Sequence, residues 1–460
     1  MAAPSTVGRT PLSGFPFCAF LRQTATANTR PPVAVAPAAA SATVLPTAAN
    51  ATAHPVGWPV FQPATVVVGN ESADLDSAVS AMSYAYYLHQ SALHLGTADD
   101  RPALPVLNVC RQDLALRTEV TWLLGSFLGL AAAEGADSAG TKASFETLAC
   151  QDQVDWTTIA AVHLVDHNQP AAQQADLFQG KVRSVLDHRA DGGAFPTAAV
   201  REILTIGSCA TLVAERFLGR SPHTLVPGEI SRAWLDPALC VSLLSAILVD
   251  TGNLDPALDR ATERDVSAAR DLGDLLLRSP EATGLLLAQS TVQPTIQNLF
   301  RSLFDQAQAA KLDISALSVM DLLRKDYKQV VSAGGLTLGV AAVGLPLGDF
   351  LSRLASPDSE GAFAQTLVDF ATSHGLDLLG VMTYFPEPTF QRGLVLYSPS
   401  ADTLARAVDA LTLDQDPSFQ MSSVDLPMGA SEPGALVVAM NQGNIKLSRK
   451  QLFPRLIEQL

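Results

Sequence analysis

The sequence predicts an α/β protein, with a parallel sheet covered on both faces in its N-terminal part and a smaller second α/β domain behind it. Short apolar, β-branched runs alternate with longer helical patterns: TVVVG (Thr65 to Gly69), LPVLNV (Leu104 to Val109), AAVHLVD (Ala160 to Asp166) and RSVLD (Arg183 to Asp187). These runs are continuously apolar instead of alternating with polar residues, which marks strands buried on both faces. From Phe300 to Val330 the pattern becomes charged and helical, and beyond it come four strand-like runs, GLTLGVAAV, LDLLGVMTYF, RGLVLYS and ALVVAMN. A chain of 460 residues has room for two cores. The boundary falls within Phe300 to Ala316, giving segments 1–60, 61–305 and 306–460, and the cleft between two domains is the usual home of a site.

Taken in order, the first segment stands apart. From Met1 to Asn70 there is no Asp or Glu, while Arg9, Arg22 and Arg30 sit among Ala, Thr, Ser and Pro. It reads as a disordered low-complexity extension, because its prolines would interrupt a helix, and as dispensable for folding. The alternative is a mitochondrial transit peptide, which has the same acid-poor, Arg-containing character. The first strand, TVVVG, leads through NESADLD into an alanine-rich helical pattern. Asp236 to Leu254 (DPALCVSLLSAILVDTGNL) is too long for one strand and reads as a buried helix ending near Asp250.

Composition narrows the function. No apolar run reaches the roughly 18 residues of a membrane span, so a soluble, cytoplasmic protein is expected. The net charge of −15 argues against nucleic-acid and anionic-membrane partners, and a polyanionic substrate would need a local basic site. Cys18, Cys110, Cys150, Cys209 and Cys240 are odd in number and show no CxxC spacing, so buried free thiols are expected and not a disulfide framework or a zinc ribbon. No sequence feature names a protein partner.

In open parallel sheets functional residues gather beyond the carboxyl ends of the strands. Asp74 and Asp76 follow the first run, Asp166 and His167 the third, and Asp187 and His188 the fourth, with Asp250 at the end of the buried helix. A DxD after a strand is by itself more often a helix cap. Two Asp-His dipeptides, each closing a strand, turn the reading towards a metal. Carboxylate and imidazole donors without a thiolate suit Mn²⁺, Co²⁺ or Mg²⁺. Two such cations roughly 3.5–4 Å apart would relieve the carboxylate repulsion and activate water. Ser208 and Thr211 are candidates to bond phosphate, whereas Cys209 reads as core packing, having no activating partner.

GNESADLDS, LVDHNQP, VLDHR, GSCATLV and ILVDTGNL, in that order, resemble the motifs of the DHH phosphoesterase superfamily, nearest to its eukaryotic exopolyphosphatase and prune branch and further from family II inorganic pyrophosphatases. VCRQDLALRTEVTWLL, LLRKDYKQ and the C-terminal LSRKQLFPRL extend the likeness over Thr65 to Leu460. The resemblance implies a DHH domain followed by a DHHA2 domain with the active site between them, two divalent cations, and an exopolyphosphatase releasing orthophosphate from inorganic polyphosphate. It implies that Asp74 and Asp166 bind one cation and that Asp76, Asp166, His188 and Asp250 bind the other. His167 is placed near the substrate, and Lys328, Arg449 and Lys450 on its phosphates, with Arg111, Arg117, Arg324 and Lys325 as possible extensions. Two departures stand out. Asn70 replaces a metal-binding His of the pyrophosphatases, and Arg189 replaces the second His of Asp-His-His. Arg189 can hold a phosphate oxygen but cannot act as a general acid. The alternatives are a prune-like enzyme of short polyphosphates, pyrophosphate or nucleotide phosphodiesters, and a regulatory binding protein with weak activity.

Overall fold

The computed structural model describes residues 12–28, 61–97, 102–130, 148–287, 293–332, 334–355, 364–386, 389–412, 417–426 and 436–460. Its first sheet is built from β1 (Thr65–Val68), β2 (Leu104–Leu107), β3 (Ala149–Cys150), β4 (Ala161–Val165), β5 (Val182–Asp187) and β6 (Val200–Ile203). Their order is β3-β2-β1-β4-β5-β6, and every pairing is parallel. The four expected runs are β1, β2, β4 and β5. The sequence reading missed β3, which is two residues long, and β6, an edge strand whose VREI carries two charges and so breaks the apolar run. The chain winds outward from β1 in one direction to β2 and β3, and in the other to β4, β5 and β6. The carboxyl ends of β1 and β4 therefore flank the point where strand order reverses, the place where such sheets open a crevice.

The second sheet contains β7 (Tyr327–Val331), β8 (Thr337–Val343), β9 (Leu378–Phe385), β10 (Gln391–Tyr397), β11 (Met421–Val424) and β12 (Val437–Gln442), in the order β11-β12-β10-β9-β8-β7. Only β8 and β9 run parallel. The four expected C-terminal runs are β8, β9, β10 and β12. β7 and β11 are solvated edge strands without an apolar signature. The stretch read as helical from Phe300 to Val330 is in fact two helices, Ile296–Leu312 and Val319–Lys325, followed by β7.

The chain divides into two units between Asp313 and Ile314. Residues 305 and 306, where the segments were divided from sequence, lie inside one continuous helix, Ile296–Leu312, which carries buried Leu299, Phe300 and Leu303 on one side and Ala307 and Ala310 on the other. The division between the units falls within the expected window of Phe300 to Ala316. The buried helix expected near Asp250 is Pro237–Thr251, closed by Gly252 in the left-handed region (φ 64°). All five cysteines are free, and all but Cys110 are buried. Among the described residues no helix is long and apolar enough to cross a membrane.

The N-terminal extension is not structureless throughout. Pro16–Asn28 is a helix whose Phe17, Cys18, Phe20 and Leu21 enter the main core of the first unit. The rings of Phe17 and Phe20 lie 5.4 and 5.2 Å from that of Tyr86, on the Leu75–Leu95 helix. The Phe17 N–H donates to Asp236 Oδ2 (2.8 Å), and the Leu12 N–H donates to the Phe127 carbonyl (2.7 Å). An apolar i, i+3, i+4 stripe, Phe17-Phe20-Leu21, was legible within the proline-rich surroundings. The rest of the extension reading, with its transit-peptide alternative, falls on residues 1–11 and 29–60, outside the described residues.

A chain starting at Gly57 should therefore be less stable than the full chain. Deleting Leu12, Phe17, Phe20 and Leu21 removes roughly 1.5–3 kcal/mol of burial per side chain, partly offset by the ordering entropy no longer lost. A net loss of about 3 kcal/mol or more in urea unfolding is expected, and an unchanged midpoint would show that the helix is dispensable.

Candidate metal centre

The carboxyl end of β1 turns sharply into the Leu75–Leu95 helix. A Cβ on Gly69 would lie 2.0 Å from Ser77 Oγ, so only glycine lets the helix start this close to the strand. Asp74 caps that helix, its Oδ1 accepting from the Ser77 N–H (3.1 Å) and its Oδ2 from Ser72 Oγ (2.9 Å). Asp76, two residues on, points inward and is almost fully buried. Its Oδ1 accepts from Ser208 Oγ and the Ala210 N–H, and its Oδ2 from the Cys209 N–H, all at 2.8 Å. These donors form the start of the Cys209–Phe217 helix, where unpaired N–H groups and the helix dipole favour an anion.

Asp166 follows β4 with φ 59°, in the left-handed region that Asp tolerates better than most side chains, and is fully buried. Its N–H donates to the Leu186 carbonyl (2.9 Å) and to Cys209 Sγ (3.2 Å). Asn70 Nδ2 donates to Asp166 Oδ2 (2.6 Å), and Arg189 Nη1 lies 3.0 Å from Asp166 Oδ1. His188, just past β5, brings Nε2 to 3.2 Å from the same Oδ1 and 3.9 Å from Asp76 Oδ2. His188 Nδ1 lies 3.3 Å from the Ile206 carbonyl; in the neutral ring a proton kept there would leave Nε2 a lone pair for a cation. Ligand atoms of Asp76, Asp166 and His188 lie within 4.8 Å of one another.

The electrostatics fit a missing positive charge. Burial, and then the Asp76 charge, pushes the Asp166 carboxyl up to about 7. Burial followed by the charges of Asp76 and Asp74 raises the Asp250 carboxyl as well, which puts Asp250 in the same group of acids. Burial opposes a charge on His188, but the hydrogen bond to Asp166 and the charges of Asp76 and Asp166 outweigh it and hold the imidazole at about 9. Asp166 Oδ1 faces both His188 Nε2 (3.2 Å) and the Arg189 guanidinium (3.0 Å). Carboxylate oxygens and one imidazole nitrogen, with the Cys209 thiol turned to the Asp166 N–H and the Leu186 carbonyl, are a donor set for a hard divalent cation.

Other expected residues have different employment. Ser208 and Thr211, read as phosphate ligands, bond Asp76 and Asp265 instead; Thr211 Oγ1 donates to Asp265 Oδ1 at 2.6 Å. Asp187 holds the loop, its oxygens accepting from the His188 N–H (2.8 Å) and Asn168 Nδ2 (2.5 Å). His167 sets Nδ1 against the Val165 carbonyl (2.9 Å) and keeps Nε2 buried without a partner, but it is not among the clustered ligand atoms. Arg111 is buried and donates to the Leu148 carbonyl (3.2 Å), Arg324 pairs with Asp321 (2.9 Å), and Arg117 Nε donates to the Ser72 carbonyl beside the Asp74 loop. Within the second unit Lys328 lies on β7, and Arg449 and Lys450 open the Arg449–Gln459 helix. Arg449 bonds both the carboxylate (2.7 Å) and the carbonyl (2.8 Å) of Asp326, two residues before Lys328.

Sequence reading missed Asp265. This buried carboxylate accepts from the Gly207 N–H (2.9 Å), Thr211 and the Thr262 N–H (2.8 Å), and so holds the loop that presents Ser208 to Asp76. The signal was there, since Thr262 to Asp265 is a T-x-x-D capping box at the start of a helix.

The DHH family, N-terminal domain, matches residues 64–247, and the DHHA2 domain matches residues 305–459. Exopolyphosphatase PRUNE1 of Bos taurus is 30% identical over 412 residues, spanning 87% of this chain and 76% of that protein. The chain belongs to the DHH family. Among other DHH relatives, exopolyphosphatase PRUNE1 of Rattus norvegicus is 29% identical over 411 residues, 87% of this chain and 76% of that protein. The manganese-dependent inorganic pyrophosphatase of Methanocaldococcus jannaschii is 24% identical over 273 residues, 57% of this chain and 74% of that protein. The DHH match begins at residue 64, so it contains β1 and the Asp74-x-Asp76 turn, and it ends at residue 247, just short of Asp250.

The raised carboxyl of Asp166 gives a sign to the pH dependence. A carboxyl that holds its proton more tightly folded than unfolded costs stability once it must ionise, so the metal-free protein should weaken as pH rises from about 4 through about 7. Cations bind the ionised form and should reverse the loss. In calorimetry the EDTA-treated chain should have a lower Tm at pH 8 than at pH 5.5, and Mn²⁺ should raise Tm more at pH 8. Equal Mn²⁺ shifts at both values would count against the cluster as a metal centre.

Proposed function

We propose that this chain is a metal-dependent phosphoanhydride hydrolase that releases orthophosphate from the ends of inorganic polyphosphate. The observation that carries the proposal is the convergence of Asp76, Asp166 and His188, with Asp250 beside them, at the strand-order reversal of a sheet belonging to a DHH–DHHA2 chain. The relatives named exopolyphosphatase PRUNE1 and manganese-dependent inorganic pyrophosphatase support the same class of bond.

Two divalent cations, Mn²⁺, Mg²⁺ or Co²⁺, would be held by Asp74, Asp76, Asp166, His188 and Asp250, with Asp166 shared. When bound, they supply electrophilic activation of a phosphoryl oxygen and of water. The protein's own groups do the rest. Asp76 is held by three donors and His188 by the Ile206 carbonyl, so these ligands are oriented before any cation arrives. Arg189 is always charged, so it can accept the negative charge of a phosphate oxygen but cannot give a proton to the leaving group. His167 is a candidate for contact with the substrate. Lys328, Arg449 and Lys450 supply the cations a polyanion needs, Arg as a bidentate donor and Lys as a point charge.

Orthophosphate release from long-chain polyphosphate, tripolyphosphate and pyrophosphate with each metal tests the reading. Activity on the long chain with Mn²⁺, Mg²⁺ or Co²⁺ and none with EDTA is expected. Release from pyrophosphate alone would favour the short-substrate enzyme, and no release from any of them would leave a binding protein. Asp166→Ala should abolish turnover and lower bound metal.

Arg449→Ala, Lys450→Ala and Lys328→Ala should each keep full metal content while kcat/KM falls about ten- to a hundredfold, the weight of one charge-assisted hydrogen bond of roughly 1.5–3 kcal/mol. Arg449 already bonds Asp326, so a polyphosphate has to take its guanidinium from that partner. Asp326→Ala should therefore lower KM for polyphosphate if Arg449 binds it, and unchanged kinetics in both Arg449→Ala and Asp326→Ala would remove Arg449 from the site.

A further inference from the structure

The second unit holds a cation beyond Lys328, Arg449 and Lys450. Arg392 is the second residue of β10, and it shares one face of that strand with Leu394 and Leu396. Leu394 and Leu396 pack there with Leu447, Leu452 and Leu456, so this is the face that the Arg449–Gln459 helix covers. Register carries the same face across the sheet. Lys328 pairs with Val340, Val340 with Gly380 and Gly380 with Leu396, which puts Lys328 and Arg392 on one side of it. Three strand spacings and the four residues from Leu396 to Arg392 separate the two, roughly 20 Å between Cα atoms.

The 443–448 loop connects the two positions. Its Ile445 carbonyl accepts from Arg392 Nε (2.9 Å), and Arg449, four residues on, pairs with Asp326 beside the start of β7. Buried Gln442 donates to the Asn444 (2.6 Å) and Leu447 (2.8 Å) carbonyls and so fixes the loop, which also carries exposed Lys446. Arg392 itself is held without being neutralised. Its Cζ lies 5.0 Å from the centre of the Phe390 ring, and among the described residues no carboxylate pairs with it, whereas Arg324 and Arg449 pair with Asp321 and Asp326. Burial holds its guanidinium below the usual arginine range, opposed only by Tyr384, its cross-strand neighbour on β9. One N–H and one ring face are engaged, so the two NH₂ groups remain as donors of the planar, bidentate kind that suits a phosphate.

We propose that Arg392 is a phosphate ligand outside the Lys328, Arg449 and Lys450 group, which takes a phosphoryl group remote from the bond being cut and so makes the enzyme favour long polyphosphate over short. The proposal rests on the polyphosphatase reading above. A short substrate cannot reach both positions at once and gains nothing from Arg392. A long chain gains a second point of attachment, at the high effective concentration that tethering provides.

Kinetics of the full chain with Mn²⁺ on long-chain polyphosphate and on the shortest polyphosphate it hydrolyses test this. Arg392→Gln can still donate to the Ile445 carbonyl but carries no charge. It should raise KM for the long chain about tenfold, the weight of one charge-assisted hydrogen bond, and KM for the short substrate by less than about twofold, with kcat on the long chain little changed. Turnover of the short substrate shows that the variant is folded. Arg392→Lys, which keeps the charge, should recover part of the long-chain KM. If Arg392 only held the 443–448 loop, Arg392→Ala would weaken both substrates together and Arg392→Gln would restore them. Equal losses on both substrates, or an unchanged long-chain KM in Arg392→Gln, would overturn the role of Arg392 and leave the hydrolase standing. A full chain that releases no orthophosphate from the long chain would overturn the polyphosphatase reading as well.

Discussion

Carboxylates that repel one another have to be held side by side in a place with little water, and much of the first unit is arranged to meet that demand. Asp76 and Asp166 are almost wholly buried, Asp74 is close enough to raise both Asp166 and Asp250, and Asp250 is raised by Asp76 and Asp166 as well. Such a group would neutralise itself by taking up protons or spread apart if its backbone were free to relax. It is not free. Asp166 hangs from the end of β4 between β1 and β5, and Asp250 from the last turn of a helix buried along nearly its whole length. The parallel sheet and that helix contribute the apolar burial that offsets the cost of the acids they carry.

The acids around the site divide into those that hold the loops and those left with capacity for a ligand. Asp187 and Asp265 spend their oxygens on backbone N–H groups and side-chain donors, and so set the paths of the His188 and Ser208 loops. Asp76 accepts from the start of a helix, which orients it. Asp166 turns Oδ1 to His188 and Arg189. Cys209 belongs to the same support: its thiol takes the Asp166 N–H, left pointing inward by the left-handed turn, and gives its proton to the Leu186 carbonyl. A small, weakly polar side chain at the start of the Cys209–Phe217 helix thus ties the ends of β4 and β5 together.

The second unit holds its cations by a different rule. Lys328 lies on an exposed edge strand and Lys450 in the first turn of a helix, where the dipole is unfavourable to a positive charge. Arg449 shares that disadvantage and answers it with Asp326. A cation at a helix N-terminus gains nothing from the dipole. The unpaired N–H groups of the same helix start favour negative charge, so the surroundings of Arg449 and Lys450 are electropositive.

The sequence by itself determined the strands that are buried on both faces, the Asp-x-Asp and Asp-His motifs at their carboxyl ends, and the helix that carries Asp250, because continuous apolar runs and their terminators are local signals. It could not show β3, β6, β7 and β11, which are short or solvated and owe their pairing to neighbours distant in the chain. Nor could it show that Pro16–Asn28 joins the core, since that helix depends on the surface offered by Tyr86 and Asp236 and not on its acid-free composition. Among the site residues, the types and order of the ligands were legible, but their orientations were not. That Asn70 donates, that Arg189 rests on Asp166, that Ser208 serves Asp76 and that Asp187 is spent on its own loop are outcomes of hydrogen-bond competition among groups up to 132 positions apart, and only the packed chain decides which donor reaches which oxygen first.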